Sequence, residues 1–400
     1  MINYYQTGWL KFLKLHPDLI PRKIKVLYYL SFEDAFLDLI RHKFPHKKHL
    51  TVLVPDFYCT NVLDNWKKHG LKYIYYPLDS GFQINSSAFK KYLWLYEPDI
   101  VIVFNACGIK SGLFSDFSWL QSFPKKSLLI EDGVHQLIHP PAVNLINNRH
   151  FFIDSLRKVS PFPGSRLIGD SSALDFCPPR NSFFSSYSLK SCLLFSSFRI
   201  IFRLGMVLGL GSLVSASHTR LLKKHDDIIG THNLPHSGPK IFLPFINRLN
   251  YQRLYRLKSA QIKLYDRVLF RNCRFPTVSR LNIPATDFPF MHVYPLVFSH
   301  SPDQKLIDHL HRQGIIVWFK FTDCPWSMDR SVLFLPLGHH ITASDIRYIA
   351  DKISEYYFTN PNGIYHVNGF RQTGHFAGGA LPLYINPQLT HFHSNSASAE

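Results

Sequence analysis

The sequence has few cysteines, and none of them are paired in a short motif. Its six cysteines are isolated along 400 residues: Cys59, Cys107, Cys177, Cys192, Cys273 and Cys324. Disulfide frameworks and structural zinc sites need cysteines at short, regular intervals. The spacing therefore excludes both and predicts a reduced protein of the cytoplasm.

Long uncharged apolar runs are also absent. The longest apolar region, residues 193–216, contains Arg199 and Arg203, and its uncharged part is shorter than the roughly 20 residues that cross a bilayer. The N-terminus lacks the apolar core of a signal peptide. We expect a buried helix or helical hairpin in this region, and the basic flanks leave peripheral membrane contact through residues 182–216 as an alternative.

Acidic residues are scarce relative to basic ones. The chain has 27 Asp and Glu against 45 Lys and Arg, which gives a formal charge of +18 and favours anionic partners such as nucleotide diphosphates. The basic residues are spread along the chain, with neither zinc-finger spacing nor an RNA-binding aromatic signature, so we expect no nucleic-acid partner. A hydrophobic content of 46% suffices for a large core.

Short apolar runs alternate with helical stretches through the first half of the chain. Strands are predicted at residues 23–30, 51–55, 71–76, 99–104, 128–130 and 151–153. A helix follows the first strand, with Ser31 at its start. This alternation predicts an α/β domain with a mostly parallel sheet.

The second half predicts a smaller α+β unit. A long amphipathic helix after Asn247 is followed by strands at 289–298, 315–320 and 332–336 and by a last helix at 344–357. The expected divisions are a large domain (1–180, with 1–20 as a helical arm), a helical insertion (181–245), a small subdomain (246–358) and a partly disordered tail (359–400).

Two predicted strands end in polar residues that share a chemical use. Glu131 and Asp132 follow one apolar run, and Asp154 to Lys158 follow the next. Ligands bind where the ends of parallel strands converge. In pyridoxal phosphate enzymes a lysine forms a Schiff base with the cofactor and a carboxylate pairs with the pyridinium nitrogen. The alternative is a solvated loop lysine and an aspartate that caps a turn.

Four stretches resemble one known family. They are VLVPDFYCTNVLDNWKKHG (52–70), IEDGVHQ (130–136), DSLRKVSPFPGSRL (154–167) and the region 314–353. In order and spacing they resemble the DegT/DnrJ/EryC1/StrS family of pyridoxal phosphate-dependent sugar aminotransferases. The resemblance implies a three-layer transferase fold with a smaller C-terminal α+β subdomain.

The resemblance assigns roles to individual residues. Lys158 matches the Schiff-base lysine and Asp132 the pyridinium partner. His135 falls near the phenolic oxygen of the cofactor, Ser155 matches a hydroxyl that contacts its phosphate, and Arg166 matches a phosphate-binding arginine. His135 as an ordinary core residue and Ser155 as a turn cap are the alternatives.

Further cofactor contacts are implied with less direct matches. Tyr58 or Cys59 lies where relatives place a residue that stacks on the pyridine ring, and an aromatic ring suits this role better. Asn105 lies beside the ring or caps a turn. Ser31 begins the segment Ser31-Phe32-Glu33-Asp34, which replaces the glycine-containing phosphate turn of relatives.

The resemblance also implies the activity and the partners. It implies a pyridoxal 5'-phosphate enzyme that moves an amino group from an amino acid, glutamate in most relatives, to a nucleotide-linked keto sugar for polysaccharide or cell-surface glycan synthesis. A homodimer is expected. The alternative is a catalytically weakened relative that serves as a binding or scaffold component, which the altered segment at Ser31 motivates.

Overall fold

A computed structural model of the protein describes residues 12–17, 20–160, 162–179, 234–270 and 278–359, with isolated positions between 190 and 208. Most of the predicted arm and insertion, most of the segment 182–216 and the tail after residue 359 lie outside the described residues. Within the arm, Leu13 forms a β-bridge with Leu249.

The larger sheet has seven strands. In chain order they are β1 (Ile24–Tyr29), β2 (Leu50–Pro55), β3 (Leu71–Tyr76), β4 (Ile100–Phe104), β5 (Leu128–Gly133), β6 (His150–Asp154) and β7 (Ser165–Asp170). Their order across the sheet is β1-β7-β6-β5-β4-β2-β3. The predicted first-half strands are present, and β7 is the one that the apolar pattern does not predict.

Most neighbouring strands of this sheet are parallel. The pairs β2–β3, β2–β4, β4–β5 and β5–β6 are parallel, whereas β7 runs antiparallel to both of its neighbours. All residues of β4, β5 and β6 are buried, as expected for central strands that are covered on both faces. The predicted α/β class with a mostly parallel sheet is confirmed.

The helices of the first half follow the strands. They are α1 (Phe32–Lys43), α2 (Thr60–Lys68), α3 (Ser86–Tyr96) and the single turn α4 (Leu156–Val159). Helix α1 begins where predicted, because the Ser31 side chain accepts a hydrogen bond from the Asp34 amide. Acidic residues in its first turn and basic residues in its last turn both favour the helix dipole.

The second half of the chain, called the small unit below, contains a three-stranded sheet and helices of 4 to 20 residues. Its elements are α5 (Leu243–Ile246), α6 (Tyr251–Phe270), β8 (Val278–Ser279), β9 (Val293–Phe298), α7 (Gln304–Arg312), β10 (Ser331–Pro336) and α8 (Ala343–Thr359). The strands are antiparallel in the order β10-β9-β8. Helix α6 packs against α8, and the Tyr265 hydroxyl of α6 donates to the Pro336 carbonyl of β10.

The predicted strand at residues 315–320 is wrong. The segment contains two isolated bridge positions, Ile315 and Phe319, in place of a strand, and Phe319 pairs with Leu333 of β10. Phe321, directly after it, has a φ of 55°, in the left-handed region that interrupts extended backbone. Among the described residues, no helix combines the length and the apolar character needed to span a bilayer.

Candidate active site

The carboxyl ends of four parallel strands carry most of the predicted site residues. Tyr58 and Cys59 follow β2, Asn105 follows β4, Asp132 lies near the end of β5, and Ser155 to Lys158 follow β6. In the register of the sheet, Asp132 stands between Phe104 of β4 and Ile153 of β6. The predicted convergence at one edge of the sheet is therefore present.

Asp132 is a buried carboxylate with two hydrogen-bond donors. Its Oδ2 accepts from the Tyr58 hydroxyl at 2.7 Å, and its Oδ1 accepts from the Val134 amide at 3.0 Å. Burial raises its pKa to about 6, while Tyr58, Val134 and the charge of Lys158 lower it in part. At neutral pH the carboxylate is therefore mostly ionised, and it can accept a hydrogen bond from a protonated ring nitrogen.

Lys158 lies on α4 and is half-buried. Its Nζ makes no hydrogen bond or ion pair with any residue that the structure describes. Burial lowers its pKa, as does the neighbouring charge of Arg157, while Cys59 and Asp132 oppose this shift. A lysine with a lowered pKa and no partner has the properties of a nucleophilic amine.

Ser155 precedes α4 and is buried, but its hydroxyl does not cap this helix. Over the described part of the chain, the hydroxyl has no hydrogen-bond partner, so its proton remains available to a ligand. Lys158 and Ser155 stand on the same turn, since the Lys158 amide donates to the Ser155 carbonyl at 3.2 Å. One short segment thus presents an amine and a hydroxyl.

His135 is a buried, neutral imidazole next to these groups. Its Nδ1 accepts a hydrogen bond from the Cys107 amide at 3.1 Å. Burial lowers its pKa well below the usual value, and the charges of Lys158, His292 and Lys320 act in the same direction. The ring lies 5.0 Å from Phe104 and 5.8 Å from Phe321, measured between ring centroids.

Tyr58 and Cys59 form the wall of the site on the β2 side. The Tyr58 ring packs edge-on against Phe104 at 5.5 Å, and burial followed by the adjacent Asp132 raises the pKa of its hydroxyl. Cys59 is a half-buried free thiol that precedes α2. Burial raises its pKa, and the charge of Lys158 offsets part of this shift. Of the two, Tyr58 has the direct link to Asp132.

Three other predicted site residues are engaged elsewhere. The Ser31 hydroxyl donates to Asp34 Oδ2 at 2.6 Å, so its only proton is used within the α1 cap. The Asn105 amide donates to Glu131 at 2.6 Å and to Gln136 at 2.9 Å. The structure therefore gives neither Ser31 nor Asn105 a free donor toward the site.

Arg166 is the third of these residues. Its guanidinium forms a buried ion pair with Asp154, with Nη2 2.6 Å and Nε 2.8 Å from Oδ2. It also donates to the Tyr251 hydroxyl and to the Ile138 carbonyl. Sequence spacing places Arg166 eight residues after Lys158, but it does not indicate that Asp154 occupies the guanidinium.

Several neighbours of the site carry no sequence signal. Cys107, with a φ of 58°, contacts His135, and Phe321 closes over the same imidazole from the small unit. His292 follows a loop and precedes β9, and its charge interactions include Lys158. Lys258 lies behind it on α6. In the sequence, Gly108 is the one sign of a tight turn here, and it does not indicate which residue the turn contacts.

Lys258 provides a stability prediction. It is 1% exposed, its Nζ donates to the Met291 carbonyl at 2.8 Å, and burial lowers its pKa to about 7. Because the pKa of Lys258 is lower in the folded protein, the unfolded chain binds one more proton than the folded chain between about pH 7 and 10. Wild-type stability should therefore fall by roughly 1 kcal/mol per pH unit as pH decreases through this window.

Lys258→Met should remove this slope when the free energy of unfolding is measured by urea denaturation between pH 7 and 9.5. Lys263→Met, on the exposed face of the same helix, is the matched control and should keep the wild-type slope. Parallel curves for wild type and Lys258→Met would contradict a buried, neutral Lys258.

Solved structures share this architecture over most of the chain. PseC from Helicobacter pylori, an aminotransferase of pseudaminic acid biosynthesis, aligns with a TM-score of 0.53 and 11% identity over 84% of this chain and 87% of its own. A DegT DnrJ EryC1 StrS aminotransferase from Brucella abortus aligns with 0.53 and 12% over 83% and 85%. The sugar aminotransferase CalS13 from Micromonospora echinospora aligns with 0.51 and 14% over 82% and 87%.

Comparison of the sequence alone finds no relative. No protein-family model matches the chain, and no curated protein matches it. The likeness thus rests on structure, at identities of 11–14% in these three cases. The chain has the fold of the sugar aminotransferases of the DegT/DnrJ/EryC1/StrS type.

Proposed function

We propose that the protein is a pyridoxal 5'-phosphate-dependent aminotransferase that acts on a keto sugar. The observation that carries the proposal is the location of Lys158 and the buried carboxylate of Asp132 at the same carboxyl edge of the sheet, where the charge of each acts on the other. The shared fold of known sugar aminotransferases supports it.

The residues of the site fit this cofactor at its reactive end. Lys158 would hold the aldehyde carbon, Asp132 would accept a hydrogen bond from the protonated pyridine nitrogen, and His135 would face the phenolic oxygen. On the phosphate side, Ser155 is the residue with an unused hydroxyl proton. Tyr58 keeps the Asp132 carboxylate in place through its 2.7 Å hydrogen bond and lines the ring.

The chemistry divides between cofactor and protein. When bound, pyridoxal phosphate supplies an electron sink for the electron pair left on the substrate carbon after deprotonation. Lys158 Nζ would act as general base by taking the proton from that carbon, and then as general acid by giving the same proton to the former aldehyde carbon of the cofactor. Its lowered pKa favours the neutral amine that such a base requires. Asp132, ionised above about pH 6, stabilises the positive ring nitrogen.

The finer assignment is that the donor is an amino acid such as glutamate and the acceptor is a nucleotide-linked keto sugar of glycan biosynthesis. The formal charge of +18 suits a diphosphate-bearing substrate. DesI, which shares this fold with a TM-score of 0.52, was solved in the presence of its TDP-sugar product. A homodimer in the reducing cytoplasm, with the four described cysteines as free thiols, completes the proposal.

A catalytically weakened relative is the second candidate. The Ser31 proton is used within the α1 cap, and the half-buried Glu33 carries a negative charge that acts on Lys158 and Asp132. Both features oppose a phosphate at the α1 terminus. The peripheral membrane role belongs to this candidate, and its segment, 182–216, lies mostly outside the described residues.

The half-reaction with the donor separates the two candidates. Protein loaded with pyridoxal phosphate and mixed with glutamate should yield 2-oxoglutarate in a 1:1 ratio to protein, as quantified by mass spectrometry. Bound cofactor without 2-oxoglutarate would favour the weakened relative or a different donor, and a panel of the other amino acids separates these outcomes. No binding of pyridoxal phosphate at all would exclude both the enzyme and the cofactor assignment.

Asp132→Asn should uncouple activity from stability. The variant cannot offer a negative charge to the ring nitrogen, so turnover should fall by about 10²-fold to 10³-fold, the range for loss of a buried electrostatic partner. Because the folded-state pKa of Asp132 is raised to about 6, its stabilising contribution is lost as pH rises from about 4 through 6.

Asp132→Asn has no titrating carboxyl at this position, so it does not lose stability as pH rises from about 4 through 6. Denaturation curves should therefore converge near pH 4 and separate in favour of Asp132→Asn by about 3 kcal/mol at pH 8. Asp116→Asn, an exposed turn carboxylate, serves as the control without effect on turnover. A turnover equal to that of wild type would contradict the role of Asp132.

A further inference from the structure

The turn after β4 holds His135 in one orientation. Asn105, Ala106, Cys107 and Gly108 form this turn, and the Cys107 amide points at the imidazole, with its nitrogen 3.1 Å from His135 Nδ1. A peptide N–H only donates, so Nδ1 must be the unprotonated nitrogen. In a neutral imidazole the proton then sits on Nε2.

The Cys107 amide reaches this position through an unfavourable backbone conformation. Cys107 has φ 58° and ψ 0°, in the left-handed region that is unfavourable for a residue with a Cβ. Its thiol is fully buried and makes no hydrogen bond with the described residues. The Cys107 side chain therefore gives no hydrogen bond that offsets this cost, whereas the conformation directs the amide at His135.

Surrounding contacts hold the turn in this conformation. The His292 amide donates to the Cys107 carbonyl at 3.1 Å, and the Asn105 side chain accepts from the Ser111 amide at 3.1 Å. Gly108 has a φ of 95°, and a Cβ there would lie 2.5 Å from Met291 Cα and 2.7 Å from the His135 carbonyl. The loop before β9 is therefore packed directly on the turn.

Charge and packing keep the imidazole neutral. The ionisable groups whose charges act on it are Lys158, His292 and Lys320, all of them basic. The Phe104, Phe321 and Phe334 rings surround it at centroid distances of 5.0, 5.8 and 5.6 Å. Protonation would place a positive charge among basic groups and apolar rings, with no acidic group among those that act on it. Nε2 has no hydrogen-bond partner among the described residues.

We propose that Cys107 is a positioning residue whose peptide N–H fixes His135 as the Nε2–H tautomer, so that His135 is a constant hydrogen-bond donor and never a base toward the ligand. On the proposed function, which this part of the inference rests on, the recipient is the phenolic oxygen of pyridoxal phosphate. A donor there stabilises the anionic oxygen without transferring a proton to it.

The tautomer is tested on the protein without cofactor. With ¹⁵N-labelled histidine, long-range ¹H–¹⁵N spectra should show the His135 signals, assigned by their loss in His135→Gln, with Nδ1 unprotonated and Nε2 protonated at every pH between 5.5 and 8. Cys107→Gly keeps the amide and suits the left-handed turn, so its pattern should be unchanged. A protonated Nδ1, a mixture of tautomers or a titration near pH 6.5 would overturn the proposal.

The donor role is tested by binding of pyridoxal phosphate. Gln has both an acceptor and a donor at similar reach, so His135→Gln should weaken binding by no more than about threefold, whereas His135→Glu, which only accepts, should weaken it at least about tenfold. Equal affinities of the two variants would overturn the donor role. Absence of binding in wild type, with the expected tautomer in the spectra, would refute the proposed function and leave the tautomer lock standing.

Discussion

Lys158→Ala should abolish transamination while the protein stays folded. The loss should be at least about 10³-fold, because one side chain serves as both covalent anchor and proton carrier. Nζ makes no hydrogen bond or ion pair in the described structure, and burial disfavours its charge, so its removal leaves no partner unsatisfied. The free energy of unfolding should therefore change by less than about 1 kcal/mol.

Turnover with glutamate and a keto-sugar acceptor, together with urea denaturation, measures both parts of this prediction. Lys126→Ala, an exposed lysine in the loop before β5, is the control and should behave as wild type. If Lys158→Ala retained a tenth of the activity, another amine would have to hold the cofactor, and Lys258, the fully buried lysine of α6, would be the next candidate.

Arg166→Met should lower the free energy of unfolding far more than a surface substitution does. The substitution leaves Asp154, which is fully buried, without its positive partner, and the Tyr251 and Ile138 oxygens lose their donor. Breaking a buried ion pair from one side costs about 3–5 kcal/mol. Burial already raises the pKa of Asp154, which Arg166 opposes, so the loss should be smaller at low pH, where the carboxyl is neutral.

Two comparisons separate this structural role from phosphate binding. Arg280→Met removes an exposed pair with Asp266, whose closest atoms are 3.7 Å apart, and should cost less than about 1 kcal/mol. The double variant Asp154→Leu/Arg166→Met should regain much of the stability lost in Arg166→Met. If Arg166→Met instead left stability unchanged and only weakened binding of pyridoxal phosphate, Arg166 would be a phosphate ligand, as the motif resemblance implies.

The reactive half of the site is the part that can be predicted from sequence. Asp132 and Lys158 each follow an apolar run, and in a parallel sheet the strand ends converge, so residue type and position together suffice. The phosphate side is harder to predict. Whether Ser31, Asn105 and Arg166 have free donors depends on Asp34, Glu131 and Asp154, and spacing along the chain gives no information on such contacts.

The fold shows the same division. The buried parallel strands are short, continuous apolar runs, and the pattern predicts them well. Residues 315–320 have a similar pattern, but the left-handed Phe321 directly after them leaves only one bridge to β10. The contact between Cys107 and His135 likewise depends on a left-handed residue other than glycine, which no composition or period predicts. The wrong strand and the missed contact both occur where tertiary packing imposes the backbone conformation.

On the proposed function, Lys158 and Asp132 hold pyridoxal phosphate in a reactive form. The most direct test is the ultraviolet-visible spectrum of the purified protein with pyridoxal phosphate, recorded before and after addition of glutamate. We expect a visible band that is absent from Lys158→Ala and that moves to the near ultraviolet when glutamate is added. A wild-type spectrum equal to the sum of protein and free pyridoxal phosphate, unchanged by glutamate, would contradict it.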